Sequence, residues 1–203
     1  MTMRRSMILM MTASLVALAA CEKKAEAPAG NSEVNTAAAS PATATPAAAP
    51  GDPVASAMSA GPASIAADAA VVAPNPDGTM KTLREGKNGW TCMPDNPATP
   101  GPDPMCLDGN AVKWAMAWLG GKTPPEGVGL AYMLAGGIDA SNTDPAAKAP
   151  AAGKDWVHTG PHIMVLNAPT LNAQFKGGDA PDVKSPSVMF GGTPYAHLMI
   201  PVN

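Results

Sequence analysis

Asp108-Gly109-Asn110-Ala111-Val112-Lys113-Trp114-Ala115-Met116-Ala117-Trp118-Leu119-Gly120-Gly121 is the one segment of this 203-residue chain that reads as a substantial helix. Asp108 is a good N-cap, because its carboxylate can accept from the free N–H groups of the first turn. Ala111, Ala115 and Trp118 share one side of the helix, with Trp114 and Leu119 flanking it. Gly120-Gly121 ends the helix and Pro124-Pro125 prevents its resumption. Past it come four short apolar segments, Gly129–Leu134, His162–Leu166, Ser187–Phe190 and His197–Ile200. Gly, Pro, Asn and Asp border them, and their lengths say strand. One helix among several short strands predicts an α+β fold: a small, mostly antiparallel sheet with one packed helix, rich in loops.

Upstream of the helix, Ala69-Ala70-Val71-Val72 reads as a strand closed by the turn residues of Pro74-Asn75-Pro76-Asp77-Gly78. Thr79–Leu83 and Trp90–Met93 alternate, and Asn88-Gly89 between them predicts a β-hairpin joining the two. Pro94 to Pro104 is a proline-rich loop flanked by Cys92 and Cys106. The stretch from Gly136 to Gly160 predicts a surface loop.

The N-terminus sets the compartment. Arg4 and Arg5 precede an apolar run from Met7 to Ala20 of roughly 14 residues, too short for the roughly 20 that span a bilayer. A basic start, a short apolar middle and small residues before a cut form a secretory signal. The ending Leu18-Ala19-Ala20-Cys21 resembles a bacterial lipobox. That resemblance implies cleavage before Cys21, acylation of its sulfur and anchoring in the cell envelope. Glu22 after the cysteine leans toward the outer membrane, with the domain facing the periplasm. Residues 1–20 are then the signal peptide, residues 21–61 the lipidated cysteine and a disordered Ala/Pro-rich tether, and residues 62–203 a single domain. The tether could reach on the order of 100 Å when stretched.

An oxidising compartment assigns the remaining cysteines to each other, Cys92 to Cys106. Closing that loop stabilises by about 3 kcal/mol on the chain-entropy account. The whole chain has a formal charge of −3. Loss of Arg4 and Arg5 with the signal removes two positive charges, giving −5. A mildly acidic chain gains nothing from polyanions, so no nucleic-acid partner is expected. With 23 prolines and 20 glycines against two tyrosines and two phenylalanines, the composition suits a loop-rich domain with a modest core.

Gly89-Trp90-Thr91-Cys92-Met93-Pro94-Asp95, Ser141-Asn142-Thr143-Asp144-Pro145 and Gly192-Thr193-Pro194-Tyr195 resemble segments of an uncharacterised group of secreted bacterial proteins. The resemblance covers most of residues 79–203 and implies an intact domain but no mechanism.

The sharpest chemical pattern is His162-Ile163-Met164 with His197-Leu198-Met199. In a strand, residues i and i+2 point to one face, so each histidine shares a face with a methionine. If the strands are neighbours in register, His162, Met164, His197 and Met199 could converge as soft donors for copper, or in the alternative zinc. The plainer reading has Met164 and Met199 filling the core while the histidines sit at strand entrances. His158 and His162 are four apart, but Thr159-Gly160-Pro161 excludes the helix that would align them, and His158 is expected to be exposed.

No Gly-x-Ser-x-Gly, phosphate loop or dinucleotide fingerprint is present. Ser141, His162 and Asp144 could be assembled into a hydrolytic set, and Asp139, Asp144 and Asp155 could supply acid/base pairs or bind a cation, the plainer reading being that they are turn formers and caps. Trp90, Trp114, Trp118 and Trp156 could form a stacking platform for a glycan. Trp114 and Trp118 are expected to cover the sheet instead, leaving Trp156 as the exposed aromatic that marks a contact surface. The sequence thus points to an anchored envelope protein that binds an envelope protein or glycan or plays a structural part, without a required cofactor. A metal-binding or hydrolytic protein is the alternative.

Overall fold

A computed structural model of the chain describes residues 51–202. The signal segment, Cys21 and most of the expected tether lie outside the described residues. The observed fold is α+β and dominated by its sheet. An eight-stranded sheet runs β2-β1-β3-β4-β5-β8-β10-β9, and a separate two-stranded sheet pairs β6 with β7. The strands are β1 (Ala70–Pro74), β2 (Met80–Arg84), β3 (Thr91–Met93), β4 (Met105–Leu107), β5 (Gly129–Met133), β6 (Gly137–Asp139), β7 (Val157–Thr159), β8 (His162–Leu166), β9 (Ser187–Met189) and β10 (His197–Pro201). The helices are α1 (Pro53–Met58), α2 (Ala63–Ala66), α3 (Gly109–Leu119) and α4 (Pro169–Asn172). All neighbouring pairs in the large sheet are antiparallel except β1 with β3, which is parallel.

The strands alternate sides strictly enough to build two separate cores. On one face Leu107, Ala131, Met164, Leu166 and Met199 pack against Ala111, Trp114 and Ala115 of α3. On the other, Cys92 and Cys106 pack with Val71 against Ala57, Ala60 and Ala66. That second layer corrects the domain boundary read from sequence. Asp52 caps α1 by accepting from the N–H groups of Val54 and Ala55, and Ala57 and Ala60 are fully buried. Alanine and proline composition gave this segment the look of tether, yet small residues are what let α1 lie close over the disulfide. The Ala57 carbonyl oxygen stands 3.6 Å from Cys106 Sγ.

Cys92 and Cys106 are bonded, and they are direct partners across the β3–β4 ladder. The expected hairpin between Thr79–Leu83 and Trp90–Met93 is corrected. β2 pairs with β1 through the Asn75–Gly78 turn, and the Asn88-Gly89 connection carries β3 across to the far side of β1. The Asn-Gly signal marks a real bend, since Gly89 has φ of 78°, but its strand partners lie elsewhere. The Gly136–Gly160 stretch is likewise more than a surface loop. Its ends pair as β6 and β7, and Ile138 and Asn142 are buried.

α3 begins at Asp108 as expected, with Asp108 Oδ1 accepting from Asn110 N–H at 3.0 Å and Ala111 N–H at 2.8 Å. Its buried face is Ala111, Trp114, Ala115 and Ala117. Leu119, expected on the flank of that face, is 64 % exposed.

Candidate functional site

The loop between β3 and β4 has no regular structure, and side chains hold it. Asp103 accepts from Asn96 N–H at 2.7 Å and from the Thr99 hydroxyl at 2.9 Å, while its own N–H donates to Asp95 Oδ1 at 2.8 Å. The loop lies on β6, where a Cβ at Gly101 would meet Ile138 Cδ1 at 3.3 Å. This contact brings Asp103 beside Asp139 at the end of β6. Opposite, the loop after β6 is tied to α3, because Trp118 Nε1 donates to the Pro145 carbonyl at 2.8 Å.

The result is a cleft of about 720 Å³. Trp118, Trp156, Phe190 and Tyr195 supply its aromatic walls, Asp103, Asp139 and Asp144 its carboxyls, and Lys148 a cation. Burial pushes Asp139 up to about 6, assisted by the neighbouring charge of Asp103. Asp103 is also raised to about 6, by burial first and by its contact with Asp95 as well, against the hydrogen bond from Asn96. Two carboxyls lifted to about 6 inside one cleft make it the candidate functional site. A second groove of about 850 Å³ is lined mainly by glycine, proline and alanine, with Glu126 its one charged side chain.

Beneath the cleft lies a smaller cavity of about 90 Å³ between α3 and the sheet. Asp103, Asp139, Trp118 and Phe190 line both spaces, so they form the partition. Phe190 takes φ of 55°, a left-handed conformation that is a genuine outlier for a bulky aromatic residue. Its carbonyl accepts from the N–H and the hydroxyl of Thr193, and its N–H donates to the Asn142 carbonyl. These hydrogen bonds hold the left-handed conformation in place at the partition itself.

His197 forms one wall of the inner cavity. It is 2 % exposed and packs edge-on against Trp114 at 5.2 Å and Phe190 at 5.5 Å between ring centroids. Its Nδ1 lies 2.9 Å from the Tyr195 carbonyl oxygen, and His162 repeats the arrangement with Gly160 at 2.8 Å. A carbonyl oxygen only accepts, so each ring carries its proton on Nδ1 and presents a bare Nε2. Neither Nε2 has a hydrogen-bond partner among the described residues. Leaving a buried acceptor unsatisfied costs about 1–3 kcal/mol. Burial lowers the His197 pKa to about 4 and moves His162 in the same direction, so both rings are neutral.

The four residues singled out in the sequence are only partly brought together. β8 and β10 are neighbours, and Met164 stands opposite Met199. His197, however, stands opposite Leu166, and His162 opposite Pro201. The antiparallel register therefore puts the two histidine backbones at opposite ends of the ladder, roughly 13 Å apart along the strands. In exchange Met189, which was not singled out, is the direct β9 partner of His197. His162 faces a separate small pocket with Asn142 and Ser187.

The other expectations divide. His158 is exposed. Trp156 is half-buried in the cleft wall and not freely exposed. Trp90 packs on Tyr132 at 5.4 Å, away from Trp118, so the four tryptophans do not form one platform. Ser141 caps its own turn by accepting from the N–H groups of Thr143 and Asp144, and it is not joined to His162. Among the described residues no group of three or more His, Cys, Asp or Glu side chains is placed to hold a metal ion. Asp103 and Phe190 carried no recognisable sequence signal, because loop contacts alone give them their places.

No protein-family model matches the chain, and no curated protein sequence or solved structure does so either.

Proposed function

We propose that the chain is a lipid-anchored protein of the bacterial envelope, held by Cys21 in the outer membrane facing the periplasm, and that its domain binds a saccharide in the cleft above Asp103 and Asp139. The observation that carries this reading is the meeting of Trp118 and Trp156 with the raised carboxyls of Asp103 and Asp139 around one space of about 720 Å³. Sugar rings present apolar faces that stack on aromatic rings and hydroxyls that donate to carboxylates, and a cleft needs both to orient them. The lipobox-like ending at Cys21 supports the anchor, and the Cys92–Cys106 bond is in keeping with an oxidising compartment.

Hydrolysis through His162 or His197 is disfavoured, because both turn bare nitrogens into the interior and among the described residues no serine hydroxyl is bonded to either.

The full chain, extracted in mild detergent, would be titrated with soluble peptidoglycan fragments and with lipopolysaccharide core oligosaccharide. Saturable binding to one of them, weakened tenfold or more by Trp156→Ala, is the expected result. Binding to neither, or binding indifferent to Trp156→Ala, overturns the saccharide reading. Whole-protein mass spectrometry of the membrane fraction tests the anchor separately, with an acyl mass expected that Cys21→Ser abolishes.

A further inference from the structure

The sheet face beneath α3 is unusually rich in sulfur: Met93, Met105, Met133, Met164, Met189 and Met199 all belong to or pack against its core cluster. Four positions on that face are contiguous. His197 pairs with Met189 across β9–β10, and Met199, two residues further along β10, pairs with Met164 of β8. All four line the cavity of about 90 Å³. We propose that this cavity is a binding site for a soft monovalent cation, copper(I), taken by Nε2 of His197 and the thioethers of Met164, Met189 and Met199.

Three features select this ligand class. The first is the bare Nε2 of a fully interior ring, fixed by its Nδ1 bond to the Tyr195 carbonyl. Metal-bound histidines are held in this way, with the second ring nitrogen bonded to a backbone carbonyl. Second, thioether sulfur favours copper(I) over zinc, which takes thiolate, imidazole or carboxylate. Cys92 and Cys106 are committed to their disulfide and supply no thiolate. Third, a monovalent ion brings the smallest charge into an apolar chamber, and Asp103 and Asp139 stand at the partition through which a cation would enter. The site keeps His197, Met164 and Met199 of the sequence pattern, replaces His162 by Met189, and stands independently of the saccharide reading.

The test is an anaerobic titration of the full chain with copper(I) against bicinchoninate as a competing chelator, with silver(I) and zinc(II) in parallel. One equivalent of copper(I) or silver(I) should be retained with a rise in Tm, and zinc should be released. Met164→Leu/Met199→Leu keeps core volume and so keeps the fold. That variant should weaken copper(I) at least tenfold while its unliganded Tm stays within a few degrees of the parent. X-ray absorption of the copper-loaded protein should show nitrogen and sulfur together. Failure of the parent to retain copper(I), equal retention by the double-leucine variant, or a sulfur-only shell would each overturn the site.

Discussion

Asp108 joins the start of α3 to β5, because its Oδ2 accepts from the Leu130 N–H at 3.0 Å while its Oδ1 caps the helix. One carboxylate therefore sets both where the helix begins and how it sits on the sheet. Since α3 carries Trp114 and Trp118, the same bond fixes the aromatic walls of both cavities. Asp108→Ala removes the cap and the strand bond together and should destabilise by about 2 kcal/mol. Asp108→Asn should retain part of the cap and lose less. Urea unfolding of the two variants measures the difference.

Helix and sheet approach closely at Gly129, where an added Cβ would lie 2.6 Å from the Ala111 backbone nitrogen. No rotamer relieves a clash with backbone, so Gly129→Ala should cost about 2–3 kcal/mol by forcing α3 outward. Gly109, in the first turn of the same helix, has nothing within 4 Å of its Cβ position. Gly109→Ala should therefore stabilise by about 0.4–1 kcal/mol through the unfolded chain. The opposite signs of two Gly→Ala changes on either side of one interface are checked by paired thermal melts.

How far the sequence foretold this structure follows from the range of the forces involved. α3, β8 and the segments that became β5, β9 and β10 were legible because capping, glycine stops and apolar runs are local. The sharing of a face by His197 and Met199 was legible too, since it rests on the two-residue period of a strand. Register was not. Whether His162 or Met189 stands beside His197 depends on which residues pair across three strands, and nothing within β8 or β10 specifies that. The cleft was hidden for a similar reason: Asp103 and Asp139 lie 36 positions apart in the sequence and meet only because one irregular loop packs on a short strand. α1 and the turn after it were concealed by composition, since Ala57 and Ala60 contribute closeness and not apolar bulk.

The disulfide secures the loop that carries Asp103. Cys92 and Cys106 enclose that loop, and their sulfurs lie under α1 on the opposite face from α3. Replacing both by alanine should lower stability by about 3 kcal/mol. It should also loosen the Asn96 and Thr99 bonds to Asp103. Faster amide exchange at Asn96, measured beside unchanged exchange in β8, would show that the loss is local to the loop before it is global.

Asp139 gives the domain a pH dependence of definite sign. Its carboxyl is raised from 3.8 to about 6 in the folded protein, so the folded state holds that proton more tightly than the unfolded chain does. The stability linked to this proton is complete below the unfolded value near 4 and is lost as pH rises through about 6. Each tenfold gain in proton affinity corresponds to about 1.4 kcal/mol. With allowance for the side of the residue that reaches the cleft, the charged carboxylate destabilises the fold by about 2–3 kcal/mol at pH 7. Asp139→Asn removes the charge while preserving shape. The variant should therefore exceed the parent in stability by about that amount at pH 7–8 and converge with it near pH 4. Asp103 remains in both proteins, and because its charge helps to raise Asp139, the gap includes the repulsion between the two. His162 and His197, whose lowered pKa values act in the opposite direction, are also present in both and cancel from the comparison. Denaturant unfolding across pH 4–8 measures the gap. A gap that stays constant with pH would mean that Asp139 is ionised alike in the folded and unfolded chain, and the cleft would then hold an ordinary surface carboxylate.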